Sequence, residues 1–209
     1  MKYINMETWP RRRHFEFFNK MDSPHLNITA NLDVTRLYGM CKRKNVSFFQ
    51  VFLYLVTKTA NEIREFRFRI REGGVLEHER IDVSFTAPAS DDLFSFCTAE
   101  YYENLSHFLE HVSDRLEQIQ GSVELDDQQG KDEVIFTTCI PWVSYTAITH
   151  PIHLSPADSI PRFAWGKFFQ ENEKLQMPFS VQAHHALVDG LHVGQFFQSM
   201  QEKLNVIDL

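Results

Sequence analysis

Residues 180–191 read SVQAHHALVDGL, in which two adjacent histidines, His184 and His185, are followed by Asp189 and Gly190. Imidazole is the side chain that titrates near neutral pH, so a neutral histidine with one nitrogen open to a cleft can serve as a general base. The run MPFSVQAHH has the character of a strand, where alternate residues share a face. That parity places Met177, Phe179, Val181, Ala183 and His185 on one side, with Ser180, Gln182 and His184 on the other. His185 is then the polar end of an apolar row, where desolvation disfavours the charged ring and leaves a neutral base. Asp189 stands where it can cap the helix that follows, Gly190 supplying freedom at a sharp strand-to-helix exit. The same carboxylate could instead steer the His185 ring. Two blander readings remain beside the base: a buried structural histidine next to a capping aspartate, and a metal site of His185, Asp189 and His192. The latter spacing matches no established zinc pattern. His150 and His153, in HPIH beside proline-rich turns, read as surface residues.

The elements that must hold these residues follow from the pattern upstream. A first helix starts near Arg11 and carries Phe15 and Phe18 on one side. Leu26 to Leu32 alternates like a half-buried strand, and Asp33 can cap a helix that runs to about Lys44. The segment from Ser47 is apolar around much of its girth, which predicts a buried helix. FRFRI and VLEHERI flank Glu72-Gly73-Gly74, a hairpin signal. Strands are expected at IDVSFTA and LFSFCTAEYY, then a helix from Asn104 to Gln120 with Gly121 as its stop. EVIFTTCI, VSYTAIT and RFAWGKFF read as further strands, and Glu171 to Leu175 as a second hairpin turn before MPFSVQAHH. Val193, Phe196, Phe197, Met200 and Leu204 recur at helical spacing in the last segment. Helices interleaved irregularly with hairpin-linked strands predict an α+β fold, a two-layer sandwich with helices packed on a mostly antiparallel mixed sheet. No linker or repeat divides residues 1–209, so a single domain is expected.

Composition narrows the class of function. A net charge of -7 argues against a nucleic-acid partner. The N-terminus lacks the pattern of a signal peptide, and the apolar runs are too short to span a membrane. Three cysteines without pairwise metal spacing suit a reduced cytoplasmic protein and no metal. Nineteen phenylalanines are unusually many; an ordinary core can absorb many of them, but the count also suits an aromatic ligand pocket or a buried subunit interface.

Four segments carry a resemblance. HHALVDGLHVGQFF resembles the HHxxxDG signature of the coenzyme A-dependent acyltransferases, in the form found in chloramphenicol acetyltransferases. WPRRRHFEFF, EFRFRIREGGVLEHERIDVSFT and TTCIPWVSY are similar to three other segments of that family, in the same order along the chain. The signature alone would indicate only the superfamily. Condensation domains of peptide synthetases share it but are about twice as long, and dihydrolipoamide acyltransferases normally carry a lipoyl module.

The resemblance implies roles residue by residue. His185 matches the general base, which takes the proton of the 3-hydroxyl of chloramphenicol, or of a similar hydroxyl-bearing small molecule, as it attacks acetyl-CoA in a ternary complex. Thr138 falls where a serine hydroxyl stabilises the oxyanion. Asp189 and Arg11 match a structural ion pair. Phe17, Phe18, Leu26, Thr86 and Ile148 match acceptor-pocket positions, and Lys167 a lysine near coenzyme A. Phe17 and Phe18, adjacent on a helix, cannot both face one core stripe, which leaves one for a ligand or a neighbouring subunit. The family also implies a homotrimer with active sites between subunits. Beside Thr138, four positions depart from its pattern: Val188 replaces a cysteine and Ala164 a threonine, while His150 and Asp22 replace apolar pocket residues. The acceptor half of the site is thereby expected to be more polar.

Overall fold

The computed structural model describes residues 1–123, 125 and 130–209. Its main sheet is built from β2 (His25–Asp33), β5 (Asp82–Pro88), β6 (Phe94–Ala99), β7 (Val134–Ile140), β8 (Arg162–Gly166) and β10 (Lys174–His184). These lie in the order β2-β10-β8-β7-β5-β6, with β9 (Phe169–Glu171) paired to the start of β10. The β5–β7 and β7–β8 pairs are parallel and the others antiparallel, the mixed sheet that was expected. A second, small sheet joins β1 (Lys2–Tyr3), β4 (Gly74–Glu77) and β3 (Phe68–Arg71).

Among the described residues five α-helices complete the fold: α1 (Arg12–Phe18), α2 (Thr35–Lys44), α3 (Phe48–Glu62), α4 (Leu105–Gln118) and α5 (Gly190–Val206). Their boundaries follow local chemistry. The Ser47 hydroxyl accepts from the Gln50 N–H at the start of α3, and Asn104 does the same for His107 at α4. Beyond α4 the chain turns at Gly121, whose φ of 79° suits a residue without a Cβ. The Glu72–Gly73 and Asn172–Glu173 pairs both take positive φ, as two-residue hairpin turns require.

One face of the sheet meets the helices. Trp165, Phe163, Phe179 and Val181 point into this layer, and all are at most 2% exposed. Phe52 of α3 packs edge-on to Trp165 at 5.1 Å, and Phe196 of α5 stacks on Phe179 at 5.7 Å. Each such ring removes enough apolar surface from water to contribute roughly 2–3 kcal/mol. Here most of the phenylalanine surplus is spent on core. No helix among the described residues is long and apolar enough to cross a membrane.

Two expected strands are corrected. VSYTAIT is not a strand: β7 pairs directly with β8, Phe136 opposite Arg162, so no ladder position is left for it. The segment instead runs as an irregular loop over the second face of the sheet. RFAWGKFF breaks into β8 and β9 at Lys167, whose N–H donates to Val143 O at 2.9 Å.

Beneath that loop the second face is polar yet largely dry. Ser180, Gln182 and His184 of β10 are at most 5% exposed, opposite Thr29, Asn27 and His25 of β2. Arg162 pairs with Asp158, whose carbonyl accepts from His25 Nε2 at 2.7 Å. His150 is half-buried above Gln182, its N–H 3.3 Å from Gln182 Oε1, so it is not the surface residue expected from HPIH; His153 is exposed. Burial pushes the imidazoles of His184 and His150 down to about 4, helped by His25 for the first and Arg162 for the second. Burial lowers His25 as well.

These three rings therefore take protons less readily in the folded chain than in the unfolded one. Their contribution to stability is complete above the unfolded value near 6.5 and is lost as pH falls towards 4, so stability rises with pH across that window. The melting temperature is expected to drop by roughly 5–10 °C between pH 6.5 and 4.5. His184→Gln should flatten that slope in calorimetric scans; an unchanged slope would remove the histidines as its cause.

Candidate active site

The strand that carries the histidine doublet ends one residue early. β10 stops at His184, and His185 opens the turn that leads into α5. Its N–H donates to Pro24 O at 2.7 Å, which fastens the turn to the start of β2. His185 is thus not the buried end of the apolar row; it is half-buried, and the fully desolvated imidazole is that of His184. Parity had been carried one residue past the end of the strand.

Three contacts hold the His185 ring and its backbone. The ring lies over Phe18 with centroids 3.8 Å apart and planes 23° from parallel. Its Nδ1 stands 3.1 Å from Val188 O. A carbonyl oxygen can only accept, so the proton is on Nδ1 and the lone pair is on Nε2. Arg11 Nη2 reaches His185 O at 3.5 Å while Nη1 pairs with the Asp189 carboxylate. The Arg11 and Asp189 side chains retain only 15% and 30% of their exposure. Burial is the largest single influence and would raise the Asp189 carboxyl, but the hydrogen bond and charge of Arg11, the neighbouring His192 and the Leu191 N–H together hold the group below its ordinary value.

Asp189 also caps α5, as anticipated. Its Oδ1 accepts from Leu191 N at 3.0 Å, and His192 answers from the third helical position, its Nδ1 accepting from Asp189 N at 3.1 Å. These bonds engage the Nδ1 atoms of His185 and His192 and the Asp189 carboxylate. Elsewhere His78, Asp132 and Glu133 lie together, but Asp132 is committed to Arg71 and to His78.

The remaining expected residues fall into separate groups. Phe18 is at the base, whereas Phe17 is 63% exposed, so the two neighbours do divide as their helical geometry requires. Leu26 pairs with Ala183, on the helix side and close to the turn. Thr138 pairs with Ala164, and Ala164 with Ser180, on the opposite face of the sheet. Thr86 lies on that face too, one residue beyond the Phe85–Thr137 pair. The Ile148 carbonyl accepts from Asn27 Nδ2 beneath the covering loop. Asp22 is exposed. Lys167 is exposed next to Phe168, which meets Tyr38 at 5.2 Å and Phe48 at 5.8 Å, with Lys42 4.6 Å above Tyr38.

Within one chain Thr138 and His185 stand far apart. Two inter-strand steps separate Thr138 from Ser180 and five residues separate Ser180 from His185, a span of roughly 19 Å. Sequence reasoning passed over two further participants, Phe96 and the Val188 carbonyl, and weighed a third, His192, only as a metal ligand. Phe96 pairs with Thr86 and shares the face of Thr138, a position that the alternation in LFSFCTA would have yielded. His192 bore no signal beyond its place three residues after Asp189. The Val188 carbonyl bore none, being backbone.

Comparisons with known proteins match this architecture. Residues 1–201 match the family model for chloramphenicol acetyltransferase. A chloramphenicol acetyltransferase of Clostridium perfringens is 30% identical over 202 residues, covering 95% of this chain and 92% of that protein. A solved chloramphenicol acetyltransferase structure superposes with a TM-score of 0.92 at 26% identity, covering 97% and 99% of the two chains. A probable dihydrolipoamide acetyltransferase from Listeria monocytogenes shares the fold alone, with a TM-score of 0.69 at 14% identity and coverage of 98% and 94%. On the match across its length, the chain belongs to the chloramphenicol acetyltransferase family.

Proposed function

We propose that this enzyme transfers an acetyl group from acetyl-CoA to the 3-hydroxyl of chloramphenicol, with His185 as general base and both substrates bound together. The observation that carries the reading is the His185 Nδ1–H bond to Val188 O, which commits the ring to the tautomer with a basic Nε2. The thioester of acetyl-CoA supplies the acetyl group. His185 Nε2 takes the hydroxyl proton as the new carbon–oxygen bond forms, then returns it to the departing thiolate as the carbon–sulfur bond breaks. The Thr138 hydroxyl has no hydrogen-bond partner among the described residues, which leaves it free to donate to the oxyanion. Arg11 and Asp189 keep the turn that bears the base in shape.

The span of roughly 19 Å between Thr138 and His185 supports a site shared between chains, since no side-chain rotation closes it. A homotrimer with the base of one subunit facing the Thr138 surface of the next satisfies this, and a cyclic heterologous interface supplies the geometry. The acceptor wall would then hold Thr86, Phe96, Thr138 and Ile148 from one chain against Phe17, Phe18 and Leu26 near the base of another. Lys167, Lys42 and the ring group Tyr38–Phe48–Phe168 offer cations beside an aromatic platform, chemistry suited to the adenosine and phosphates of coenzyme A. Three reduced cysteines accord with a reducing cytoplasm.

Thiol release from acetyl-CoA by purified protein is expected to require chloramphenicol and to vanish in His185→Ala; release without the drug dependence would move the reading to another acceptor. Thr138→Ala should lower kcat by about 10²-fold. When His185→Ala and Thr138→Ala chains are refolded together, about a quarter of the wild-type activity should return, because some interfaces then join an intact base to an intact donor. No recovery would place base and donor in one chain. Asp189→Asn and Arg11→Ala should each lose both activity and up to about 3 kcal/mol of stability, because one charge of the pair is left behind. Lost activity at an unchanged melting temperature would contradict a structural role for the pair.

A further inference from the structure

One peptide group lies between two imidazoles. The Val188 carbonyl accepts from His185 Nδ1 at 3.1 Å, and the N–H of the same peptide unit, that of Asp189, donates to His192 Nδ1 at 3.1 Å. Each of these two bonds requires a particular tautomer of its ring. A carbonyl oxygen requires Nδ1–H on His185, and a peptide N–H requires a bare Nδ1 on His192, whose proton therefore resides on Nε2. That Nε2 points towards Glu65, with Oε1 3.7 Å away. His192 is only 8% exposed, so the arrangement is largely shielded from water.

We propose that His192 is a positioning residue for the reaction and acts on His185 through the Val188–Asp189 peptide. The proposal rests on the reading of His185 as the base. A peptide N–H that donates to a strong acceptor leaves its own carbonyl more negative, because the two groups share one delocalised system. The Val188 oxygen then holds the His185 Nδ1 proton more firmly, and the Nε2 lone pair stays on the side facing substrate. Glu65, near the far nitrogen of His192, favours the tautomer that keeps Nδ1 bare. A carboxylate on the base itself is unnecessary in this arrangement: Asp189 is engaged with Arg11 and Leu191, and a backbone amide orients the ring.

His192 Nδ1 also lies 3.1 Å from Asp189 Oδ1, so a proton on Nδ1 would turn to the carboxylate and abandon the peptide. The alternative arrangement is distinguishable. Nitrogen-15 spectra of the full-length protein with labelled histidine report the tautomer of each ring without substrate. The expected result is Nδ1–H on His185 and Nε2–H on His192. In His192→Leu, the His185 signal should shift towards a mixture of tautomers. Its kcat should fall about 10-fold while both KM values change less than about twofold. His192→Gln restores an acceptor at the third helical position, so kcat should return to within about threefold of wild type. Nδ1–H on His192 in the wild type would overturn the proposal. So would an unchanged kcat in His192→Leu, or a fall in kcat that Gln does not rescue and that follows the melting temperature. If His192→Leu does not fold, the wild-type spectrum and His192→Gln decide between the same outcomes. The spectra require no acetyl transfer, so a wild type inactive towards chloramphenicol defeats the proposed function and leaves this test standing.

Discussion

Arg11 and Asp189 are separated by 178 positions in sequence, and the ion pair between them determines where the two ends of the chain meet. Arg11 immediately precedes α1, and Asp189 caps α5. Their contact brings Phe18 over His185 and sets the His185 carbonyl within reach of the same guanidinium. A turn of five residues between a strand and a helix has few contacts of its own. Here it is fixed from three sides, by Pro24 below, by Arg11 across and by the N-terminus of α5 ahead. A mobile turn would have left the imidazole free to rotate; this one leaves it a single orientation.

The two adjacent histidines illustrate how strongly environment outweighs residue type. His184 is the last strand residue and points into the dry polar layer beneath the 141–161 loop, where burial makes the charged ring unfavourable. His185 lies one peptide further on, outside the strand and stacked on an aromatic ring. The sheet is the reason. Its helix side is filled by Phe163, Trp165, Phe179 and Val181, while its other side carries Thr138, Ala164, Ser180 and Gln182. Such a sheet has one apolar face packed against the helices and a second, polar face that the 141–161 loop largely covers.

Features marked by local chemistry were legible in the sequence. The Ser47 and Asn104 caps, the Glu72–Gly73 turn and the apolar girdle of α3 all appear where short-range rules put them. The Arg11–Asp189 pair and the split between Phe17 and Phe18 were legible too, the first through resemblance and the second through helical geometry. What failed was non-local. VSYTAIT alternates like a strand, but whether it joins a sheet depends on whether β7 and β8 already pair, and they do. RFAWGKFF looks continuous, yet a bond from Lys167 to Val143 interrupts it. His185 was assigned to a face by a parity that the bond to Pro24 terminates. His150 was taken for a surface residue because nothing in HPIH indicates that Gln182 lies beneath it. The Val188 carbonyl could not be read at all, since the side chain says nothing of what the main chain accepts.

The distance between Thr138 and His185 has an evolutionary meaning. A site whose halves belong to different surfaces is shaped by the same substitutions that set how tightly those surfaces adhere. In the proposed shared site, changes at Thr86, Phe96, Ile148 or His150 that admit a new acceptor would also alter the contact between neighbours. Selection on acceptor range and selection on assembly would then act on one set of positions, and neither property would drift freely while the other is maintained.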